Sequence, residues 1–312
     1  MIRERIYPTT LKRMSADEIC AKLSAEPEEA ARWIYAAAMS GSAPAQTIWG
    51  QILLDGRGVA ADPDAALRWF KIAALSGYAD GINMVGRCTE LGWGTAADPA
   101  EAARWFRQAA AKGHAWAQFN LASLMLKGEG VAHDARGALT LLVRSARQGN
   151  PKAMNMIGRC RELGWGGPAK AGSAVRWYRR AADRGCFRGS YHLGRFLATR
   201  GDIAAAAIRF RASVDAAPAD FCREAADVLL ASPEPELQAV GRVALARAAE
   251  TDAARDLFAY GHALATGRGG AIDLKQAKVW IARAHAKNYP GAMASLQDIF
   301  AGEGVLNWLG AR

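Results

Sequence analysis

The chain has 312 residues, of which 51% are hydrophobic and 22% charged, and a formal net charge of +10. This balance excludes a disordered chain and describes a folded one. No run of about 18 apolar residues occurs, so no membrane-spanning helix is expected.

The first predicted elements form a cap. Charges at Arg3, Glu4, Arg5, Lys12, Arg13, Asp17 and Glu18 interrupt the opening residues, so no secretory leader is expected and a cytoplasmic location is the default. Residues 17–39 then read as a partial unit whose second helix, Glu28 to Met39, carries an Ala-Arg-Trp signature.

From there the chain repeats. Gly41, Gly77, Gly113, Gly149 and Gly185 are each 36 residues apart, and Trp33, Trp69, Trp105 and Trp177 keep the same register with Leu141 on the missing rung. A Gly-x-Gly pair recurs in phase at Gly56/Gly58, Gly92/Gly94, Gly128/Gly130 and Gly164/Gly166, and reappears at Gly267/Gly269 and Gly302/Gly304. Self-similarity at such a fixed period marks a stacked-repeat architecture.

One unit shows what the period encodes. From Ala117 to Leu126 the apolar Leu121, Leu124 and Met125 fall at helical spacing, and Lys127-Gly128 stops the run. This is helix A. After a short turn an aspartate opens helix B, at Asp62-Pro63, Asp98-Pro99, Asp134 and Asp273. Its carboxylate can accept from the unpaired amides of the first turn, and Pro sacrifices nothing at the first helical position. Helix B places Ala102, Phe106, Ala109 and Ala110 on one face and ends at the phased glycine. Alanine pairs such as Ala73-Ala74 and Ala109-Ala110 permit close helix approach, while Trp69-Phe70, Trp105-Phe106 and Trp177-Tyr178 fill the space between layers. A single helix pair cannot bury its apolar face alone, so stability comes from nearest-neighbour stacking.

The pattern Gly50…Gly56-x-Gly58-Val59…Asp62…Ala66…Trp69-Phe70…Ala73-Ala74…Gly77 resembles the Sel-one-like repeat, a bacterial-type relative of the tetratricopeptide repeat. The resemblance implies an all-α, right-handed α/α superhelical solenoid of helix-turn-helix repeats, serving as an adaptor or scaffold without a shared catalytic site. It divides the chain into an extension and capping half-repeat over residues 1–41, four regular repeats over 42–185, degenerate repeats over 186–253, and a last repeat with a capping helix over 254–312, in one continuous solenoid. In the degenerate part Gly201-Asp202 is a shortened turn, and Ser232-Pro233-Glu234-Pro235-Glu236 replaces the glycine pair.

Cysteine and histidine usage points away from disulfides and metals. Some secreted members of the family carry a disulfide across each helix pair, which needs two cysteines per unit; Cys20, Cys88, Cys160, Cys186 and Cys222 are too sparse for that. Cys88 and Cys160 lie two units apart, beyond the ~7 Å between Cα atoms that a bridge tolerates. His114, His133, His192, His262 and His285 are scattered without ligand spacing, so no metal or other cofactor is expected, and the cysteines read as small buried hydrophobes. No nucleophile motif, phosphate loop or triad order is present, so catalysis is not expected.

Two features rise above the generic repeat. The segment Asn83 to Gly94 recurs as Asn155 to Gly166 with ten of twelve positions identical, while the units between carry Gly56-Arg57-Gly58-Val59 and Gly128-Glu129-Gly130-Val131. Asn83, Arg87 and Glu90 stand at i, i+4 and i+7 of one helix face, and Asn155, Arg159 and Glu162 repeat them. In this fold class that helix usually lines the concave surface. With Trp93, Trp165, Arg161 and Arg195, these residues form the expected partner-binding set. Arg87 and Glu90 could instead simply pair along the helix. Thr89 and Arg161 depart from the family, which usually has an aromatic there.

The second feature is charge. From Arg144 to Arg211 fifteen Lys or Arg stand against three acids, a net of +12 in a chain whose total is +10. Such a concentration favours an acidic partner. The expected partner is an acidic or extended segment of another protein bound by a monomer, with an RNA-binding solenoid as the alternative. A one-base-per-unit RNA code needs matched readers in successive units, whereas the matched residues here occupy alternate ones. The final stretch reads as a helix from Pro290 to Ala301 followed by Leu306-Asn307-Trp308-Leu309, which either folds back over the last apolar face or binds a partner.

Overall fold

The computed structural model describes residues 24, 26–299 and 301. Cys20 and the segment from Leu306 to Leu309 lie outside the described residues, as does most of the extension before the first helix. Among the described residues every regular element is a helix. They are α1 (Pro27–Met39), α2 (Ala43–Asp55), α3 (Pro63–Leu75), α4 (Ala79–Leu91), α5 (Pro99–Ala111), α6 (Ala115–Lys127), α7 (Ala135–Arg147) and α8 (Pro151–Leu163). They continue as α9 (Ala171–Ala182), α10 (Phe187–Ala198), α11 (Ile203–Ala216), α12 (Ala219–Leu230), α13 (Pro235–Ala249), α14 (Ala254–Thr266) and α15 (Leu274–Ala286), with a further helical segment over 292–299. The fold is an α/α solenoid of helix-turn-helix repeats, and the chain divides into two compact units between Ala169 and Lys170.

The first unit owes its regularity to aspartates and glycines. The side chains of Asp62, Asp98 and Asp134 accept from amides in the first turns of α3, α5 and α7 at 2.8–3.0 Å. Each cap of this kind contributes about 1 kcal/mol. The same aspartates donate their own backbone N–H to helix A, to Leu53, Thr89 and Met125, so each pins helix B to the helix before it. Every helix A of the regular repeats stops at a glycine in the left-handed region, with φ of +67° at Gly56, +74° at Gly92, +73° at Gly128 and +75° at Gly164. The second glycine of each pair has a different task. A Cβ on Gly94 would overlap the Pro63 carbonyl, and one on Gly130 would overlap that of Pro99, so the A–B turn of each repeat lies directly on the start of the preceding helix B.

Packing within the repeat centres on one aromatic. Phe70 and Phe106 are fully buried, and each lies against a helix A glycine, Gly50 and Gly86, where a Cβ would come within 2.6–2.7 Å of the ring. Burying each ring stabilises the fold by roughly 1.5–3 kcal/mol. The tryptophans just before them, Trp69 and Trp105, are only half-buried and cover the edge of the same clusters. Consecutive helices pack in order from α1 to α8, and α2 also touches α4, so the A helices form a layer of their own.

The second unit departs from this order where the repeat signature fades. Helices α9 and α10, α10 and α11, α12 and α13, and α14 and α15 pack as pairs, but α11 lies mainly on α13 rather than on α12. The core here draws on Phe210, Phe221, Cys222, Leu229 and Leu237, with Tyr191 and Phe187 against it. A buried ion pair joins the helix pairs: Arg223 donates from Nε to both oxygens of Asp256, at 2.9 and 3.0 Å, and Asp256 is 3% exposed. Asp273 restores the aspartate cap at α15.

Candidate functional site

In the first unit the A helices present one continuous face with a groove of about 420 Å³. Thr47, Ile48 and Gln51 of α2, Asp80, Asn83, Met84 and Arg87 of α4, Trp116 and Asn120 of α6, Lys152 of α8, and His114 line it. Apart from His114, these residues occupy four repeat positions at i, i+3, i+4 and i+7 of helix A, so residues 80, 116 and 152, 47 and 83, 48, 84 and 120, and 51 and 87 are equivalents one period apart.

Each wall of the groove is held by a specific contact. His114 caps α6 through Nδ1, which accepts from the Ala117 amide at 3.1 Å, and this leaves Nε2 to bond Asp80 Oδ1 of the previous repeat at 2.9 Å. Asp80 is thereby committed, while Arg87 and Lys152 supply positive charge. Asn120 donates from Nδ2 to Asn83 Oδ1 at 3.0 Å, and both side chains are more than nine-tenths buried. Trp116, 41% exposed, carries Lys152 Nζ over its ring at 5.4 Å.

The two duplicated rungs have the same internal geometry. The Arg87 guanidinium lies 5.4 Å from the Trp93 ring centroid, and that of Arg159 lies 5.2 Å from Trp165. Arg87 is thus turned toward the turn tryptophan. Its Nε is buried and makes no hydrogen bond, as is Oδ1 of Asn155, which is 5% exposed. Burial pushes the Glu90 carboxyl above the usual carboxylate range, with Arg87 pulling the other way. Arg161 is half-buried and Glu162 exposed. Arg195 belongs to α10 of the second unit, where its Nη1 sits 3.3 Å from Nδ1 of His192.

The structure thus gathers Asn83 and Arg87 into the groove and places Trp93 beneath Arg87. Sequence reasoning missed Asn120, Trp116, Lys152 and the Asp80–His114 pair. Stepping by one period from Asp80 and from Met84 would have reached Trp116 and Lys152, and Asn120.

Of the fifteen cations between Arg144 and Arg211, all but Arg159, Arg161 and Arg209 are exposed. They are shared between A helices and B helices: α7 carries Arg144 and Arg147 and α8 Lys152 and Arg159, while α9 carries Arg176, Arg179 and Arg180 and α10 Arg188 and Arg195. Several cover aromatic faces: Arg180 lies over Trp177 at 4.9 Å, Arg188 over Phe187 at 5.2 Å and Arg200 over Phe196 at 5.5 Å. Rings covered in this way are not free for base stacking.

Among the described residues, no three His, Cys, Asp or Glu side chains gather into a set able to hold a metal ion. No described helix is long and apolar enough to cross a membrane. Cys88, Cys160, Cys186 and Cys222 are free and buried.

The chain is similar to a protective antigen of uropathogenic Escherichia coli with an SLR fold, at 27% identity and a TM-score of 0.55; the likeness covers 88% of this chain and 60% of that protein, so this chain spans well under two thirds of its length. It also shares its fold with a Sel1 repeat protein from Oxalobacter formigenes, at 23% identity and a TM-score of 0.57, covering 88% of this chain and all of that one. No curated protein matches the sequence. The Sel1 repeat model matches residues 23–42, 43–78, 79–114, 117–150 and 151–186, more than half of the chain, and the matched segments carry the capping aspartates and paired glycines described above; the chain belongs to the Sel1 repeat family.

Proposed function

We propose that this chain is a scaffold or adaptor whose helix A face in the first unit captures an extended, acidic segment of a partner protein. Sel1 repeats generally mediate contacts between proteins. The observation that carries the reading is the groove itself: equivalent positions of successive A helices line it, Arg87 and Lys152 give it positive charge, and its one carboxylate, Asp80, is already bonded to His114. Exposed apolar surface at Ile48 and Trp116 lies beside those charges, as in the mixed surfaces that proteins use to bind one another. Arg87 with Trp93, and Arg159 with Trp165, are the duplicated anchors of this face, with Asn83, Asn155, Glu90, Arg161 and Glu162 around them; Arg195 offers a further cation in the second unit. No catalytic role is assigned to any of them.

The test is capture of partner proteins from the native cell by the wild-type chain and by the double variant Arg87→Met with Arg159→Met. Loss of specific capture with an unchanged helical melting curve supports the reading. Undiminished capture by the folded double variant overturns it, and capture abolished by nuclease treatment replaces it with nucleic-acid binding.

A further inference from the structure

We infer that the groove reads its partner's backbone at one fixed point: the Asn83–Asn120 amide pair holds a single peptide group of an extended acidic segment, beside the cations Arg87 and Lys152. The inference rests on the proposed protein-binding role of this face and adds how the segment is held.

It begins with the hydrogen-bonding capacity of the two amides. A side-chain amide has two N–H donors and an oxygen that accepts twice. Asn120 Nδ2 donates to Asn83 Oδ1 at 3.0 Å, which leaves Asn83 Nδ2 with its donors and Asn120 Oδ1 with its acceptor capacity. No further hydrogen bond engages either atom among the described residues. The two side chains are 6% and 7% exposed, a setting in which unmet polar groups are costly. One donor beside one acceptor, on adjoining helices of one groove, is the complement of a peptide group: its C=O accepts from Asn83 and its N–H donates to Asn120.

That complementarity selects the conformation of the partner. In a helix the backbone groups are spent on one another, whereas an extended segment offers them sideways. Successive side chains of such a segment point to opposite sides. One set meets the apolar surface of Ile48, Met84 and Trp116, which line the groove beside the amides. Charge sets the composition: Arg87 and Lys152 face the groove while Asp80 is held by His114, so an acidic side chain flanking the bound peptide group finds two cations and no competing free carboxylate.

The test uses the full chain and a displayed random dodecapeptide library, followed by synthesis of the tightest enriched peptide. Each backbone N–H of that peptide is replaced in turn by an ester oxygen, and binding is measured by calorimetry to wild type, Asn120→Leu, Asn120→Ala and the double variant Arg87→Met with Lys152→Met. The enriched peptide should be acidic. One ester position should weaken binding to wild type by about tenfold, that loss should vanish against the Asn120 variants, and the double cation variant should bind about tenfold more weakly. Two Asn120 replacements of different size are included so that one folded variant, verified by its helical melting curve, is in hand. If no ester position distinguishes wild type from the Asn120 variants while the cation variant still loses binding, backbone reading is overturned and the protein-binding role stands. If the peptide ignores every substitution, or no peptide enriches, both are overturned.

Discussion

The guanidinium of Arg87 lies 5.4 Å from the centroid of the Trp93 ring, and two repeats later Arg159 stands 5.2 Å from Trp165 in the same way. A cation over an indole contributes about 0.5–1 kcal/mol at half-exposed sites. Against this, the buried Nε of Arg87 has no hydrogen-bond partner, a deficit of about 1–3 kcal/mol. The two terms nearly cancel in folding. Replacing Arg87 by Met, which keeps the stem and discards the charge, should therefore change the folding free energy by less than about 1 kcal/mol. Urea melts of wild type and Arg87→Met test this; a loss of 3 kcal/mol or so would make Arg87 a structural residue and remove it from the proposed binding face.

The glycines separate into two kinds that look alike in sequence. Gly113 has φ of +87° and open space where a side chain would go, whereas Gly130 has φ of +66° and a Cβ there would overlap the backbone of Pro99 and Ala100. Gly113→Ala should cost roughly 1 kcal/mol through backbone strain alone. Gly130→Ala should cost roughly 3 kcal/mol, because the turn must also move off the helix before it. Equal losses in chemical melts would show that the turn does not depend on that close approach.

Much of this fold was legible because its determinants are local. A left-handed glycine and a capping aspartate act within a few residues of chain, so the phased Gly56, Gly92 and Asp62, Asp98 announced their own geometry. The binding face was less legible, since its contacts cross between repeats. Asn120 meets Asn83 at an offset of 37 residues, one more than the period, and His114 meets Asp80 at 34. Neither pair shares a column when the repeats are aligned. The role expected of the tryptophans needed adjustment for a similar reason: Phe70 and Phe106 occupy the space against the helix A glycines, which leaves Trp69 and Trp105 at the rim.

Lys170 marks a defect that can be repaired. It occupies the position of Asp134 one repeat on, with φ of −145° and ψ of 87° against −142° and 90°, yet it makes no side-chain cap. The backbone is already posed for a capping carboxylate, and a lysine there also opposes the positive end of α9. Lys170→Asp should stabilise the second unit by about 1 kcal/mol and slow exchange of the Ser173 amide, the position equivalent to the capped Gly137. Unchanged exchange and stability would mean that the start of α9 gains nothing from a cap.

The cysteines beneath the duplicated rungs give a way to separate binding from folding. Cys88 and Cys160 are 0% and 1% exposed, and burial pushes both thiols up to about 11 even though Arg87 and Arg159 pull them down. An unfolded cysteine, with a pKa of about 8.5, is partly thiolate at pH 8, whereas a thiol at about 11 is thiolate only about once in a thousand molecules. Alkylation of both residues in the native chain should therefore be slower by about a hundredfold or more than in urea, and mass mapping assigns each site. Because the next residue inward from each arginine is the protected thiol, the same measurement on Arg87→Met with Arg159→Met reports whether α4 and α8 remain closed. Native-like protection combined with lost partner capture places the effect of the arginines on the surface they present. Rapid labelling of Cys88 or Cys160 in that variant would assign it instead to an opened helix.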